Sequence, residues 1–298
     1  MKKIKVLSLF DGISVAQQAL KELGYNVEYY ASEIDKYAIQ ITQKNHPNTF
    51  QMGSVIGLGH QFGKIDLLIG GSPCQDLSIA KRNRKGLDGE RSGLFWEYVR
   101  ILKEIKPRYF VLENVASMPE SAKNEITKTL GVEPVMFNAS LVSAQMRKRY
   151  FWTNIKFELP EDRNILLKDI LMDGIETKEK SLCVTATYSR ACPRDYFGKS
   201  SRQLIKVGHF NKGGQGDRVY SIDGKSVTLS ALGGGRGAKT GLYETTKGIY
   251  RKLHPIEVER LQSLPDNYTE GISNTQRYKC LGNAFNKEVV KHILKNIK

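Results

Sequence analysis

Residues 65–75 read Ile65-Asp66-Leu67-Leu68-Ile69 and then Gly70-Gly71-Ser72-Pro73-Cys74-Gln75. The apolar half is typical of a short buried strand, and the second half is typical of a tight turn. In alternating α/β domains, ligands bind in the crevice outside the carboxyl ends of the strands. We therefore expect Cys74 where a nucleophile would sit. The alternative is a buried packing cysteine, which the flanking turn residues disfavour.

Strand and helix patterns alternate along the first half of the chain, around this turn. Strands are predicted at 3–10, 27–31, 65–69, 109–112, 134–139 and 150–155, and helices at 13–23, 35–45, 94–105 and 121–130. This alternation predicts an α/β fold with a doubly wound, mostly parallel sheet. Helical spacing returns from Ile256, and residues 287–297 are predicted to form a final helix.

The composition changes in the second half of the chain. Ten of the 27 glycines lie between Gly208 and Gly241, among Lys, Arg, Ser and Thr residues. A flexible insertion is one interpretation, but the strand-like segments 218–220 and 226–229 favour a smaller, ordered domain of β-strands and loops. We predict a first domain at 1–158, a second at 159–272, and a C-terminal segment at 273–298 that returns to the first domain.

The chain is basic, with 46 Lys and Arg residues, 31 Asp and Glu residues and a net charge of +15. From Arg190 to Lys239 there are ten basic and three acidic residues, a net +7. Such a concentration favours a polyanionic partner, because neutralising phosphates requires basic groups on one face. A solvated basic surface is the alternative.

The distribution of apolar residues and cysteines indicates the cellular compartment. No apolar run approaches the roughly 20 residues that span a bilayer, so no membrane association is expected. The four scattered cysteines lack zinc spacing, so no metal is expected and a reduced, intracellular compartment is predicted. We expect an intracellular, cytoplasmic protein, associated with the nucleoid if its polyanionic partner is DNA.

The ends of the first two predicted strands carry residues that suit a nucleoside ligand. The first strand leads into Phe10-Asp11-Gly12, without the G-x-G-x-x-G pattern of a dinucleotide site. Glu33 follows the second strand, 22 residues after Asp11, where an acidic residue holds a ribose hydroxyl pair. Each feature alone is weak. Together they favour an adenosine cofactor without a pyrophosphate, and S-adenosylmethionine fits.

Two further segments carry candidate catalytic groups. Glu113 ends a strand in Leu112-Glu113-Asn114-Val115, where it could cap a helix or face the Cys74 crevice as a proton donor. Gln145, Arg147 and Arg149 alternate before Tyr150. At strand spacing these three side chains would share one face, either as a solvated edge or as a fork of donors for a base or phosphate.

This set of motifs, in this order, resembles the cytosine-5 DNA methyltransferase family of prokaryotic or phage type. The matching stretches span nearly the whole chain: Phe10-Asp11-Gly12, Glu33, Pro73-Cys74-Gln75, Glu113-Asn114-Val115, Gln145-x-Arg147-x-Arg149, Arg251, Arg260-Leu261-Gln262 and Gly282-Asn283-Ala284-Phe285. The Pro-Cys-Gln and Glu-Asn-Val pair is the most specific part.

The resemblance implies a DNA (cytosine-5-)-methyltransferase that uses S-adenosylmethionine. Cys74 would add to carbon 6 of a cytosine flipped out of the duplex, and Glu113 would protonate or hydrogen-bond ring nitrogen 3. Arg149 would hold the ring carbonyl oxygen, with Arg147 in support. Carbon 5 would then take the methyl group. The implied partners are double-stranded DNA and a cognate restriction endonuclease, which the sequence does not identify, so a restriction–modification role stays open.

The resemblance also assigns binding residues and shows one departure. The implied cofactor-binding residues are Phe10, Asp11, Gly12, Ile13, Glu33, Ile34, Ser54, Val55, Pro73, Leu94, Asn283 and Ala284. The implied DNA-binding residues, in a target-recognition domain, are Ser78, Arg190, Arg194, Arg202, Lys212, Arg218, Arg236 and Lys239. The departure is Ser54, which stands where the family usually has an Asp that bonds the adenine amine.

Two other functions are weighed against DNA methylation. An RNA cytosine-5 methyltransferase of the same fold, of the type that modifies transfer RNA, typically carries a Cys-Phe-Thr signature in the variable region. This sequence contains none there. A non-catalytic DNA-binding protein on a decayed scaffold would not need Cys74, Glu113, Arg147 and Arg149 together. DNA methylation is therefore the favoured prediction.

Overall fold

A computed structural model describes residues 2–72, 94–172, 206–209, 218–226, 242–246, 249–251 and 253–298. The chain divides into two compact units. Unit 1 comprises Met1–Phe137, Lys148–Leu159 and Val289–Lys298, and unit 2 comprises Asn138–Arg147 and Pro160–Glu288. In the described part, no helix is long and apolar enough to cross a membrane.

A seven-stranded sheet organises unit 1. Its strands are β1 (Lys3–Leu9), β2 (Asn26–Ser32), β3 (Phe50–Gln51), β4 (Leu67–Gly71), β5 (Tyr109–Val115), β6 (Val135–Asn138) and β7 (Lys148–Thr153). The order across the sheet is β3-β2-β1-β4-β5-β7-β6. Strands β1 to β5 pair in parallel, and β7 pairs antiparallel with β5. The predicted mostly parallel sheet is confirmed.

The strand order reverses direction between β1 and β4. From β1 the chain builds outward through β2 and β3, and it then returns to the other side of β1 to build β4 and β5. Such a switch point opens a crevice at the carboxyl ends of the two central strands. The carboxyl ends of β1 and β4 therefore lie side by side at this crevice, and the motifs at 10–14 and 70–75 begin there.

Helices connect the strands and cover a dense apolar core. In unit 1 they are α1 (Val15–Glu22), α2 (Lys36–Asn45), α3 (Leu94–Ile105) and α4 (Glu120–Leu130). The core includes the fully buried Leu7, Leu68, Leu112 and Trp152 from the strands, and Phe95 from α3. All four helices were predicted within two residues at each end, because their apolar spacing is regular. The two-residue strand β3 was missed, since it is too short to show alternation.

Gly70 lies at the tightest point of the central sheet. A Cβ on this residue would come within 2.7 Å of the Leu9 carbonyl oxygen and 3.3 Å of the Tyr98 ring. Real Cβ atoms do not approach a backbone oxygen so closely, and the backbone cannot move aside at low cost. Glycine is therefore required here for β1, β4 and α3 to pack together below the crevice.

The described residues of unit 2 include a second sheet and three α-helices. The sheet consists of β8 (Lys206–His209), β9 (Arg218–Tyr220), β10 (Leu242–Thr246) and β11 (Ile249–Arg251), in the order β11-β10-β9-β8. The helices are α5 (Pro255–Leu261), α6 (Asn274–Asn283) and α7 (Lys287–Leu294), which runs on into unit 1. The strand predicted at 218–220 is present, whereas 227–229 lies outside the described residues. Helix α6 was not predicted.

His46 gives the folded chain a dependence on pH. It is buried directly after α2, and burial together with nearby Lys21 lowers its pKa from 6.5 to about 4. The unfolded chain therefore binds this proton near pH 6.5, whereas the folded chain resists it until about pH 4. We expect the contribution of His46 to the free energy of unfolding to be present above pH 6.5. It should fall by about 1–2 kcal/mol between pH 7 and pH 5.

Urea denaturation at pH 7 and pH 5 measures this effect. His46→Gln should lose less stability than the wild type between the two values, because glutamine takes up no proton. His60, which is exposed on a short 3-10 turn, offers the matched control as His60→Gln. Equal losses in the wild type and His46→Gln would contradict the assignment.

Candidate functional site

The loop after β1 has an unusual backbone. Phe10, Gly12 and Ser14 all adopt left-handed conformations, with φ values of 55°, 63° and 55°. Only glycine does so without cost, and each of the other two costs about 1 kcal/mol. A Cβ on Gly12 would meet nothing within 4 Å, so this turn faces open space. The loop thus presents backbone groups to the crevice, next to the half-buried Phe10.

The buried carboxylate of Asp11 holds this loop from inside. It accepts hydrogen bonds from the Tyr29 hydroxyl at 2.7 Å and from the Ser14 hydroxyl, and Ser14 also bonds Thr42 at 2.9 Å. Burial raises the pKa of Asp11, and the hydrogen bonds from Ser14 and Tyr29 oppose that shift. The sequence resemblance predicted Asp11 to bind the cofactor. Its side chain points into the core, which leaves any such contact to the backbone.

Glu33 follows β2 and is fixed by three backbone donors. One carboxylate oxygen accepts from the Gly12 N–H at 2.8 Å, and the other accepts from Ile34 at 2.7 Å and Asp35 at 2.8 Å. This network ties the end of β2 to the loop after β1. A carboxylate oxygen can accept more than one hydrogen bond, so capacity remains for ligand hydroxyls.

Apolar groups flank this acceptor. Ile34 is 78% exposed and Ile56 is 70% exposed, so both side chains are accessible to a ligand. Ser54 is exposed, and its hydroxyl accepts from the Ile56 N–H at 3.2 Å. Of the other predicted contacts, Ile13 and Val55 are buried, and Leu94 packs against the core at the start of α3.

Glu113 and Arg149 form an ion pair at the end of β5. The Arg149 Nε lies 2.8 Å from a Glu113 carboxylate oxygen, with side chains 15% and 12% exposed. The antiparallel register brings them together, because Val115 faces Arg149 and Glu113 faces Phe151 across β5 and β7. Glu113 is also the register partner of Gly71 on β4. The carboxyl and guanidinium groups therefore stand together beside the strand that leads to Cys74.

Asn114 is a site residue that the sequence analysis did not single out. Its side-chain amide donates to the Ser72 hydroxyl at 3.1 Å and to the Ser72 carbonyl at 3.5 Å, while its oxygen accepts from the Val115 N–H at 2.8 Å. Ser72 precedes Cys74 by two residues. The Glu-Asn-Val motif thus has two parts: Glu113 is the ionisable group, and Asn114 holds Ser72, just before the cysteine. Only the pairing of β4 with β5 reveals this second role.

Removing this anchor should slow catalysis more than binding. We expect Asn114→Ala to lower kcat by about 10- to 100-fold, because small misplacements of a reacting group are costly, with KM for the cofactor within about threefold. Asn154→Ala is a control on the same sheet, since Asn154 bonds Arg108 and Phe110 at its opposite end. Equal effects of the two substitutions on kcat would contradict a positioning role.

The predicted face of three donors before Tyr150 is not formed by one strand. Strand β7 begins at Lys148, so Gln145 and Arg147 precede it, and that part of the prediction is corrected. Gln145 is buried and bridges Ser226 through the backbone. Alternation in the sequence suggested a strand. The chain instead leaves the sheet after β6, at Asn138, and rejoins it only at Lys148; the residues between belong to unit 2.

Arg147 lies in unit 2 and is buried. Its guanidinium donates to the carbonyl oxygens of Gly282 at 3.2 Å and Ala284 at 3.0 Å. These residues flank Asn283 at the end of α6, where the resemblance placed two cofactor contacts. Arg147 therefore holds the backbone of that segment, whereas Arg149 pairs with Glu113.

Several predicted site residues lie outside the described residues. They are Cys74 and Pro73 in the loop after β4, and Ser78, Arg190, Arg194, Arg202, Lys212, Arg236 and Lys239 among the DNA contacts. Arg218 is described by its backbone, in β9. The assignments of all these residues stay predictions.

The mostly parallel sheet, its switch point and the fixed acidic residue after β2 define the class of S-adenosylmethionine-dependent methyltransferases. Solved structures agree with this fold. An Entamoeba histolytica methyltransferase superposes with a TM-score of 0.72 at 17% identity, covering 100% of this chain and 98% of the other. A Spodoptera frugiperda DNMT2 variant gives 0.69 at 20% identity, covering 99% of each.

The chain belongs to the C-5 cytosine-specific DNA methylase family, whose model matches residues 4–298. It is 31% identical to the type II methyltransferase M.HhaI of Haemophilus parahaemolyticus, over 99% of this chain and 94% of that protein. It is 30% identical to the type II methyltransferase M.NgoPII of Neisseria gonorrhoeae, over 94% and 91%. It is thus a DNA cytosine methyltransferase that uses S-adenosylmethionine.

The described residues fit this cofactor. Glu33 offers fixed acceptor oxygens for the ribose hydroxyls, and Ile34 and Ile56 offer apolar surface for a base. The open turn at Gly12 leaves room for a ligand against the backbone. Because Ser54 is neutral, a charge-assisted hydrogen bond from this position to the base is absent.

Proposed function

We propose that this enzyme methylates carbon 5 of a cytosine flipped out of double-stranded DNA, through a transient covalent bond to Cys74. The ion pair between Glu113 and Arg149 is the observation that carries the proposal. It places an acid and a cation together beside β4, and the Asn114 contact fixes Ser72 two residues before the cysteine. A base entering this crevice would meet groups suited to both of its polar edges.

The proposed first step is addition of the Cys74 thiolate to carbon 6 of the ring. The electron pair of the carbon 5–carbon 6 double bond moves into the ring toward nitrogen 3. Glu113, which takes up a proton from solvent when the base binds, gives that proton to nitrogen 3. Arg149 donates to the ring carbonyl oxygen. Its existing bond to Glu113 keeps the two groups together before the base arrives, so little reorganisation is needed.

The later steps restore the aromatic ring. When bound, S-adenosylmethionine supplies a methyl group on a positively charged sulfur, which the electron-rich carbon 5 accepts. A solvent water then takes the proton from carbon 5, the electron pair of that bond re-forms the carbon 5–carbon 6 double bond and expels the Cys74 thiolate, and ring nitrogen 3 returns its proton to Glu113. The enzyme is thereby regenerated and the product is 5-methylcytosine.

Base flipping is part of the proposal because a stacked cytosine is inaccessible to a thiol. Extrusion costs a few kcal/mol, which contacts to the displaced strand and the flipped base must offset. We propose that the segment 190–239 contributes these contacts within a target-recognition domain at 159–272. Its net charge of +7 supports binding to phosphates. Ser78 and the basic residues of this segment are the proposed DNA contacts.

Arg147 is proposed as a positioning residue for the same reaction. Its two bonds to the carbonyls on either side of Asn283 support a role in shaping the end of α6. Asn283 and Ala284 are the proposed cofactor contacts of this segment.

Covalent trapping tests the proposal directly. DNA containing 5-fluorocytosine should form an adduct with the wild type in the presence of S-adenosylmethionine, because fluorine cannot leave carbon 5 as a proton does. Cys74→Ala should form none. Cys280→Ala is the matched control, since Cys280 is a buried cysteine of α6, and it should trap as well as the wild type. An undiminished adduct with Cys74→Ala would remove the nucleophile assignment.

A restriction partner is a finer proposal that the relatives' names support. Two of them are named type II methyltransferases. We propose that methylation here protects DNA from a cognate restriction endonuclease. Bisulfite sequencing of a plasmid from expressing cells identifies the methylated site, and endonucleases that cut at that site should fail on this plasmid. Cleavage equal to that of plasmid from cells expressing Cys74→Ala would contradict protection.

A further inference from the structure

A second basic surface lies at the end of the sheet opposite the crevice. Here, at the amino edge, β1, β4 and β5 begin and β7 ends. We define the edge cluster as Lys2, Lys3, Lys64, Lys106, Arg108 and Lys156. All six are exposed and all belong to unit 1. None of them serves the cofactor or the reaction.

Three lysines of this cluster lie in or just before neighbouring strands: Lys3 is in β1, and Lys64 and Lys106 precede β4 and β5. Val6, Leu67 and Tyr109 are partners across β1, β4 and β5. One lysine stands three residues before each of them, at Lys3, Lys64 and Lys106. The cluster is thus a consequence of the fold, because these lysines are more than 40 residues apart in the chain.

The other strand end extends the row. Val111 pairs with Thr153 across β5 and β7, and the Asn154 amide bonds the Arg108 carbonyl at 2.9 Å. Lys156 follows two residues after this contact, beyond the end of β7. With strands about 4.8 Å apart, the row from β1 to β7 is about 14 Å wide.

The charges of the edge cluster are not neutralised by ion pairs within the described residues. The nearby acids are engaged elsewhere: Asp66 accepts from the Lys5 backbone N–H at 2.9 Å, Glu28 pairs with the Lys5 ammonium at 3.0 Å, and Glu104 pairs with Arg100 at 2.9 Å. Asp66 keeps its negative charge, because its partner is a neutral backbone N–H, and the exposed Glu158 adds a second counter-charge against the six cations. The guanidinium of Arg108 lies over the Tyr109 ring at 5.1 Å, which leaves its N–H groups free to donate outward.

Lys106 occupies a position that suits glycine. It follows α3 with φ of 47°, and its N–H closes the helix on the Leu102 carbonyl. Glycine or asparagine is usual at such an end, and a lysine there costs about 1 kcal/mol of backbone strain. The position therefore carries a charge at the expense of local stability.

We propose that the amino edge binds the phosphate backbone of a second DNA segment while the crevice engages the target. Duplex DNA presents one negative charge per about 1.7 Å of its axis with both strands counted, so a 14 Å row of cations spans roughly eight phosphates, about four on each strand. The enzyme's own substrate is the polyanion present at highest local concentration around it. An acidic protein is the rival occupant. The proposal does not depend on the Cys74 chemistry.

A two-duplex capture experiment tests it. The full chain is loaded on an immobilised duplex that contains its target, and a labelled 30-base-pair duplex of A·T pairs alone is added. This second duplex contains no cytosine, so it cannot serve as a substrate. The edge variant combines Lys64→Gln, Lys106→Gly and Lys156→Gln. The matched control combines Lys21→Gln, Lys44→Gln and Lys128→Gln on the exposed surfaces of α1, α2 and α4.

We expect the wild type and the control to capture the second duplex, and the edge variant to lose at least tenfold in its affinity for that duplex. The slope of log affinity against log salt for the second duplex should fall by about 2–3 in the edge variant. The single-turnover methylation rate on a short target duplex should not change. Failure of the wild type to hold two duplexes, or equal loss in both variants, would overturn the proposal. Retention of an acidic protein in place of DNA would also overturn it. If the wild type captures the second duplex but does not methylate the target, the proposed function is wrong and the edge proposal stands.

Discussion

Glu113→Gln should lower kcat for methyl transfer by about 10²- to 10⁴-fold, the usual contribution of a positioned proton donor. Glutamine keeps the shape of the side chain and can still bond Arg149 through its amide oxygen, so the ion-pair geometry at 2.8 Å is replaced with little movement. What it cannot do is give a proton to the ring. Charge pushed into the base by the thiolate then has no acceptor, and the barrier to addition rises.

Single-turnover methylation with labelled cofactor, together with DNA affinity measured separately, checks this result. The dissociation constant for target DNA should stay within about threefold, because a uniform binding contact is not removed. Glu120→Gln is the control for a glutamate in the same unit, since its partner Lys123 is at the surface and the pair is exposed. Activity of Glu113→Gln within tenfold of the wild type would remove Glu113 as the proton donor.

Arg277→Met should lower the free energy of unfolding of unit 2 by about 3–5 kcal/mol, because it leaves a buried charge without its partner. Glu259 is fully buried and accepts from the Arg277 guanidinium at 2.9 Å, from the Thr269 N–H at 2.8 Å and from the Asn267 N–H at 2.7 Å. Glu259 lies on α5 and Arg277 on α6. The pair thus joins the helix of the Arg-Leu-Gln motif to the helix that ends at Asn283.

Chemical denaturation of three variants separates this pair from a general effect of losing an arginine. Arg260→Met removes a surface pair with Asp266, in which the side chains are 32% and 45% exposed, and should cost about 1 kcal/mol or less. The double variant Glu259→Gln with Arg277→Met should recover part of the loss, since no unpaired charge then remains. A single Arg277→Met variant no less stable than Arg260→Met would show that the buried pair contributes little.

Local patterns predicted most of unit 1. The four helices are amphipathic and the central strands are short apolar runs, so burial of one face decides each element without reference to distant residues. The position of strand β7 was predicted, but its antiparallel pairing with β5 was not. That pairing depends on the course of the chain between the two strands. Helix α6 was missed because its apolar spacing is weak and its stability comes from the Arg277 pair and the Gln262 amide bond to Leu281.

The candidate site divides in the same way. The motifs were enough to propose Glu33, Glu113 and Arg149 as site residues, because each is an ionisable residue predicted at the end of a strand or beside one. The sequence could not show that Asn114 holds Ser72, nor that Arg147 turns to Gly282 and Ala284. Those contacts join residues 42 and more than 130 positions apart, and they exist only once the sheet and α6 are formed.

By itself, then, the sequence determined the family, the alternating α/β order and the identity of the ionisable groups. These follow from residue type and short-range spacing. The tertiary structure alone decided which groups meet: Glu113 with Arg149, and Asn114 with Ser72. It also gathered the lysines of the amino edge at one end of the sheet. The physical reason is that side-chain partnerships across strands depend on register, and register is set by the whole sheet rather than by any one segment.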